Sequence, residues 1–79
     1  MNSAELKAVD QQYVANTYAR FDLALKSGKG ATCCDYEGNS YIDFTSGIGV
    51  NSLGFCNEKW SAAVAEQAST LNHISNLYY

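Results

Sequence analysis

The chain has 79 residues, 47% hydrophobic and 16% charged, with a net charge of −3. That length supports one domain with a thin stability margin, because a chain of this size buries only about 60% of the surface it exposes when unfolded. The five basic residues (Lys7, Arg20, Lys26, Lys29, Lys59) are scattered rather than gathered into a stripe, which argues against a nucleic-acid partner. No apolar run reaches the length of a membrane span and Met1-Asn2-Ser3 opens no secretory signal, so the expectation is a cytoplasmic protein with no membrane partner.

The first segment, Ser3 to Tyr18, contains neither Gly nor Pro and is rich in helix formers. Leu6, Val9 and Tyr13, extended by Val14 and Thr17, recur at helical spacing and make a narrow apolar stripe suited to docking on another surface. Ser3 is the expected N-cap, with Glu5 in the first turn where the helix dipole favours a carboxylate.

A stretch punctuated by turns follows. Leu23–Lys26, Ala31–Asp35 and Ser40–Phe44 read as strands, separated by Ser27-Gly28-Lys29-Gly30 and Tyr36-Glu37-Gly38-Asn39. In the last strand Tyr41 and Asp43 alternate with Ile42 and Phe44. The simplest arrangement is a three-stranded antiparallel meander. Residues 45–57 hold three glycines and little pattern, too long for a plain connector, and such loops in compact domains carry function. Asn57 is placed to cap a second helix from Glu58 to Leu71, in which Trp60, Val64, Ala68 and Leu71 form a predicted buried stripe. The expected fold class is therefore α+β. The chain closes on His73-Ile74-Ser75-Asn76-Leu77-Tyr78-Tyr79, an aromatic run expected to continue into further structure.

Several chemistries fail on residue type. Gly49 and Gly54 have phosphate-loop spacing, but Phe55 and Cys56 stand where Lys and Ser or Thr are required. Gly47 and Gly49 begin a dinucleotide fingerprint whose third glycine position holds Ser52. These glycines are better explained by sharp turns and close backbone approach. Cys33, Cys34 and Cys56 offer no zinc-type pair, and adjacent strand residues face opposite ways, so they read as small buried or half-buried hydrophobes and no metal is expected. His73 reads as a structural or surface histidine, and the carboxylates form no acid–base pair.

Taken in order, the residues form a recognisable series. Tyr13-Val14, Asn16-Thr17-Tyr18 and Arg20-Phe21 precede Gly28-Lys29-Gly30; Asp35, Gly38 and Tyr41-Ile42-Asp43-Phe44 lead into Ser46-Gly47-Ile48-Gly49-Val50-Asn51-Ser52-Leu53-Gly54; Gln67, Leu71, His73 and Ser75-Asn76-Leu77-Tyr78-Tyr79 close it. From Gln12 to Tyr79 the chain resembles the start of the class III pyridoxal-phosphate aminotransferases, and among them the acetylornithine type. The resemblance implies the N-terminal part of a fold-type I aminotransferase: a helix, a three-stranded sheet in the small domain, and a crossover toward a large domain absent from these residues. It also implies a homodimeric enzyme that moves an amino group between N-acetylornithine and 2-oxoglutarate in arginine synthesis, with succinyldiaminopimelate in lysine synthesis as a related donor. By the same resemblance Gly47 and Ile48 line the substrate pocket and Tyr79 guards its entrance. Ile48 stands where ornithine enzymes carry tyrosine, which suits an acylated donor.

The chain departs from the family at Gly54-Phe55-Cys56-Asn57-Glu58, where members usually read Gly-His-x-His-Pro. Pyridoxal phosphate needs a Schiff-base lysine, a carboxylate for the pyridine nitrogen and a phosphate cradle. The resemblance places all three beyond Tyr79, so no catalytic or cofactor-binding residue is expected here and the 79 residues alone are expected to be inactive. An alternative is a non-catalytic structural or protein-interaction module, using the stripe of the first helix and Leu77-Tyr78-Tyr79 as its binding patch.

Overall fold

A computed structural model describes all 79 residues. The elements run α1 (Ser3–Tyr13), β1 (Leu25–Lys29), β2 (Thr32–Asp35), β3 (Ser40–Ile42), α2 (Ser46–Gly49) and α3 (Glu58–Thr70). The three strands form one antiparallel sheet in the order β1-β2-β3, which is the expected meander and the expected α+β class.

Helix α1 is capped one residue earlier than expected. The Asn2 side chain accepts the Glu5 N–H at 2.9 Å while Glu5 accepts the Asn2 N–H at 3.0 Å, a reciprocal capping box. Ser3, relieved of capping, ties the helix to the β2–β3 turn. Its N–H and Oγ donate to the Glu37 carboxylate at 3.0 and 2.6 Å. The helix ends at Tyr13, five residues short of the expected Tyr18, and Val14 is already extended. Val14, Asn16 and Thr17 are weak helix formers, and the chain turns back along the helix it has left. Arg20 pairs with Asp10 at 3.1 Å and Lys7 contacts Asp22, contacts a straight helix to Tyr18 could not make.

Strand β1 lies later in the chain than the expected Leu23–Lys26. Gly28 and Lys29 belong to the ladder, opposite Cys33 and Thr32, and the turn is confined to Gly30 and Ala31. Gly28 serves a close contact rather than a turn, since a Cβ on it would lie 2.7 Å from Phe55 Cγ. Strand β2 begins at Thr32 rather than Ala31, and β3 ends at Ile42 rather than Phe44. The Asp43 side chain leaves the ladder to bind the following loop, and Phe44 points into the open.

Only Ala24, Cys33 and Asp35 are buried. Cys33 and Asp35 share one face of β2 with Cys34 on the other, as strand alternation requires. Asp35, 7% exposed, is the hub of the hairpin. Its carboxylate accepts the N–H of Glu37 and of Asn39, the Asn39 side-chain amide and the Tyr41 hydroxyl, all at 2.8–3.0 Å. The Asn39 amide, with the other donors, outweighs partial desolvation and holds the Asp35 pKa down at about 2, while the bond to Asp35 pushes the Tyr41 phenol up.

Helix α3 starts at the expected cap, with the Asn57 side chain accepting the Trp60 N–H at 3.1 Å. Its expected buried stripe is not buried: Trp60 is 59% exposed, and Val64, Ala68 and Leu71 are also exposed. The periodicity is correct for an amphipathic helix, but no residue of α1 or α3 is buried by this chain. The radius of gyration is 16.3 Å, against about 12 Å for a compact domain of this length.

Candidate functional site

The loop from Asp43 to Asn57 holds every non-glycine residue of the chain with positive φ: Ser46, Ile48 and Cys56. It leaves the sheet through one carboxylate oxygen. Asp43 Oδ1 accepts the Thr45 N–H at 2.8 Å, the Thr45 hydroxyl at 2.9 Å and the Ser46 N–H at 3.1 Å, while the Asp43 N–H donates to the Ala31 carbonyl at 2.8 Å. These donors, the Thr45 N–H first, hold the Asp43 carboxyl below the usual carboxylate range.

The turn that follows, α2, winds left-handed. Ser46, Gly47, Ile48 and Gly49 all have positive φ, and Gly47 (59°, 41°) and Ile48 (60°, 49°) have left-handed helical values. Glycine tolerates this at 47 and 49. Ser46 and Ile48 do not, at a cost of about 1–2 kcal/mol for each L-residue, and a β-branched residue there is an outlier. Asn51 closes the turn: its N–H donates to the Ser46 carbonyl at 2.8 Å, and its side-chain amide nitrogen lies 3.2 Å from where a Cβ on Gly47 would be.

The far end of the loop docks on the sheet. Gly30 and Phe55 exchange both backbone hydrogen bonds, at 3.0 and 2.8 Å, and the Phe55 ring covers Gly28. Gly54 has φ +78°, and a Cβ on it would sit 2.9 Å from the Gly30 carbonyl oxygen. Lys29 Nζ adds a bond to the Cys56 carbonyl at 3.2 Å and lies 3.5 Å from Glu58. Phe55 and the Cys56 carbonyl thus anchor the loop to β1 and the turn that follows it. Cys56 itself is exposed with φ +54°, against the expectation of a buried or half-buried thiol, because the chain reverses there between the Phe55 bridge and α3. Cys33 and Cys34 meet that expectation.

An open concavity of about 570 Å³ lies between this loop and α3, lined by Val50, Leu53, Phe55, Cys56 and Trp60 among others. A second, of about 440 Å³, runs between α1 and the returning segment, where Asp10, Arg20, Lys7 and Asp22 meet. Gly47 and Ile48 lie together on the left-handed turn, with Ile48 97% exposed, whereas Tyr79 is exposed 31 residues further along the chain, beyond α3. None of the three lines either concavity. His73 is exposed, and no three side chains are grouped to hold a metal ion. The Gly28–Phe55 packing, the Asp43 clamp and Asn51 escape sequence reasoning, since no local signal announces these partners.

The residues present do not fit pyridoxal phosphate. A Schiff-base lysine needs an apolar or electropositive enclosure that lowers its pKa. Lys7 contacts Asp22, Lys29 contacts Cys56 and Glu58, Lys26 lies 5.7 Å from the Tyr36 ring centroid, and Lys59 is on the exposed surface of α3. None is buried.

Comparison with known proteins gives the same family as the residues. The pattern of the family described as Aminotransferase class-III matches residues 13–79. Acetylornithine aminotransferase of Haemophilus ducreyi is 53% identical over all 79 residues, which cover 20% of that protein's length. Acetylornithine aminotransferase of Methanothermobacter thermautotrophicus is 44% identical, again over the whole chain and 20% of its own length. Among solved structures, acetylornithine aminotransferase from Elizabethkingia anophelis superposes with a TM-score of 0.92 at 31% identity, covering 99% of this chain and 20% of that one. The chain therefore spans about a fifth of the length of the relatives it matches, and it belongs to the class III aminotransferase family.

Proposed function

We propose that these 79 residues are the N-terminal portion of a pyridoxal-phosphate-dependent acetylornithine aminotransferase. In this reading they supply part of the small domain and the crossover toward a large domain that holds the cofactor. The observation that carries it is identity of 53% and 44%, over every residue of the chain, to two proteins both named acetylornithine aminotransferase. The whole enzyme moves the amino group of N-acetylornithine to 2-oxoglutarate in arginine synthesis, works as a homodimer in the cytoplasm, and takes succinyldiaminopimelate as a related donor. The cofactor supplies the electron sink, and residues outside this chain hold it.

The part assigned to these residues is the rim of the substrate pocket. Gly47 and Ile48 present an apolar surface where the acylated end of the donor enters, and Tyr79 closes the entrance. The exposed Ile48 side chain and the left-handed turn beneath it support that assignment. A hydrophobic contact that adds or removes one small apolar group discriminates by about 10–200-fold, enough for an acyl group to separate two ω-amino donors.

The test compares the full-length enzyme with the isolated chain, each supplied with pyridoxal phosphate, N-acetylornithine and 2-oxoglutarate. Glutamate formation is expected from the full-length enzyme, faster than with free ornithine as donor, and none is expected from residues 1–79. A full-length protein that makes no glutamate, or an isolated chain that does, contradicts the proposal.

A further inference from the structure

We infer that Asp43 is a positioning residue for donor selection: its carboxylate fixes the left-handed turn Ser46–Gly49, and through that turn the presentation of Ile48. The inference rests on the reading that Ile48 faces the amino donor, and it goes beyond it by assigning the device that holds Ile48 in place.

The geometry is a lever pinned at one end. Asp43 is anchored to the sheet by its own N–H on the Ala31 carbonyl. Three donors from Thr45 and Ser46 then converge on its single Oδ1 atom, so the first strained residue, Ser46, is bonded directly to the anchor. Hydrogen bonds to an ionised acceptor are about twice as strong as neutral ones. Backbone in a sparsely populated region persists only where surrounding contacts over-determine it. Asp43 supplies that constraint at the entry of the turn and Asn51 at its exit. The product of the strain is an isoleucine 97% exposed, so no contact inside the chain offsets it. A turn built only to reverse direction would place Gly or Asn at that position.

The test uses the full-length holoenzyme, wild type and with Asp43→Ala or Asp43→Asn. Two quantities are measured: the ratio of kcat/KM for N-acetylornithine to that for ornithine, and amide hydrogen exchange across residues 44–51 with residues 32–42 as internal control. Loss of the anchor in Asp43→Ala is expected to lower the selectivity ratio about tenfold, mostly through KM for the acylated donor. Exchange at residues 45–49 is expected to accelerate while the β2–β3 hairpin stays protected. Asp43→Asn keeps the Oδ1 acceptor but loses its charge, and is expected to recover about half of both effects; it also keeps the experiment readable if Asp43→Ala fails to fold. Unchanged exchange in residues 45–49, or faster exchange with an unaltered donor ratio, overturns the inference. A wild-type enzyme that turns over no amino donor overturns the parent reading instead, and that outcome is seen before any variant is made.

Discussion

Produced alone, residues 1–79 are expected to melt without a cooperative transition and to self-associate at micromolar concentration. Ordering a residue costs about 1–2 kcal/mol in backbone entropy, and full burial of a large apolar side chain offers about 1.5–3 kcal/mol in return. No large side chain here is fully buried, and the buried set is Ala24, Cys33 and Asp35. Helices α1 and α3 have 11 and 13 residues and bury none of them, and isolated helices shorter than about 12–15 residues are marginal in water. The hairpin organised by Asp35 is the best-supported local unit, yet a small sheet needs a covered apolar face for independent stability. Trp60, Val64, Leu71, Leu77 and Tyr78 stay exposed, and burying such large apolar side chains against a second copy drives association. Circular dichroism across a thermal ramp, with light scattering, checks this. A sharp sigmoidal transition from a monodisperse monomer would instead favour the free-standing interaction module.

In the full-length enzyme, Gly54→Ala is expected to be severely destabilising, by about 2–5 kcal/mol, and Gly30→Ala mild, at about 1–2 kcal/mol. Both glycines have positive φ, so each substitution carries the left-handed penalty of about 1–2 kcal/mol. They differ in what the new methyl meets. At Gly30 nothing lies within 4 Å of it. At Gly54 it meets the Gly30 carbonyl oxygen at 2.9 Å, with Gly30 C and Cα at 3.2 Å. Backbone cannot rotate aside, and forcing extra atoms into a packed contact costs about 1–3 kcal/mol more. The clash falls on the Gly30–Phe55 bridge, so the loop carrying Ile48 would part from the sheet and donor selectivity would fall with stability. Denaturant unfolding of the two variants checks the ordering; equal midpoints would mean that the close approach has no energetic consequence.

Much of the fold is legible in the sequence because its signals are local. Asn57 before an apolar-periodic run caps α3 where expected, and Gly38 within Tyr36–Asn39 marks the β2–β3 turn. The strand alternation that separates Cys33 from Cys34 is equally local. What escapes depends on partners distant in the chain. Gly28 resembles a turn glycine until Phe55 is seen against it, and helix α1 stops early because residues 20–22 fold back to pair with Asp10 and Lys7. The α3 stripe has helical periodicity, but periodicity tells which face is apolar and not what covers it. At the candidate site, Ser-Gly-Ile-Gly looks like an ordinary glycine loop. That Ser46 and Ile48 share the left-handed conformation of their glycine neighbours follows from the Asp43 and Asn51 contacts, which no spacing rule encodes.

Where the cofactor is tethered is the most direct check on the division of labour proposed here. Borohydride reduction of the full-length holoenzyme, followed by digestion and mass spectrometry, locates the phosphopyridoxyl-lysine. A single adduct outside residues 1–79 is the expected result. An adduct on Lys7, Lys26, Lys29 or Lys59 would place the chemistry within this segment and contradict its assignment to scaffold and pocket rim.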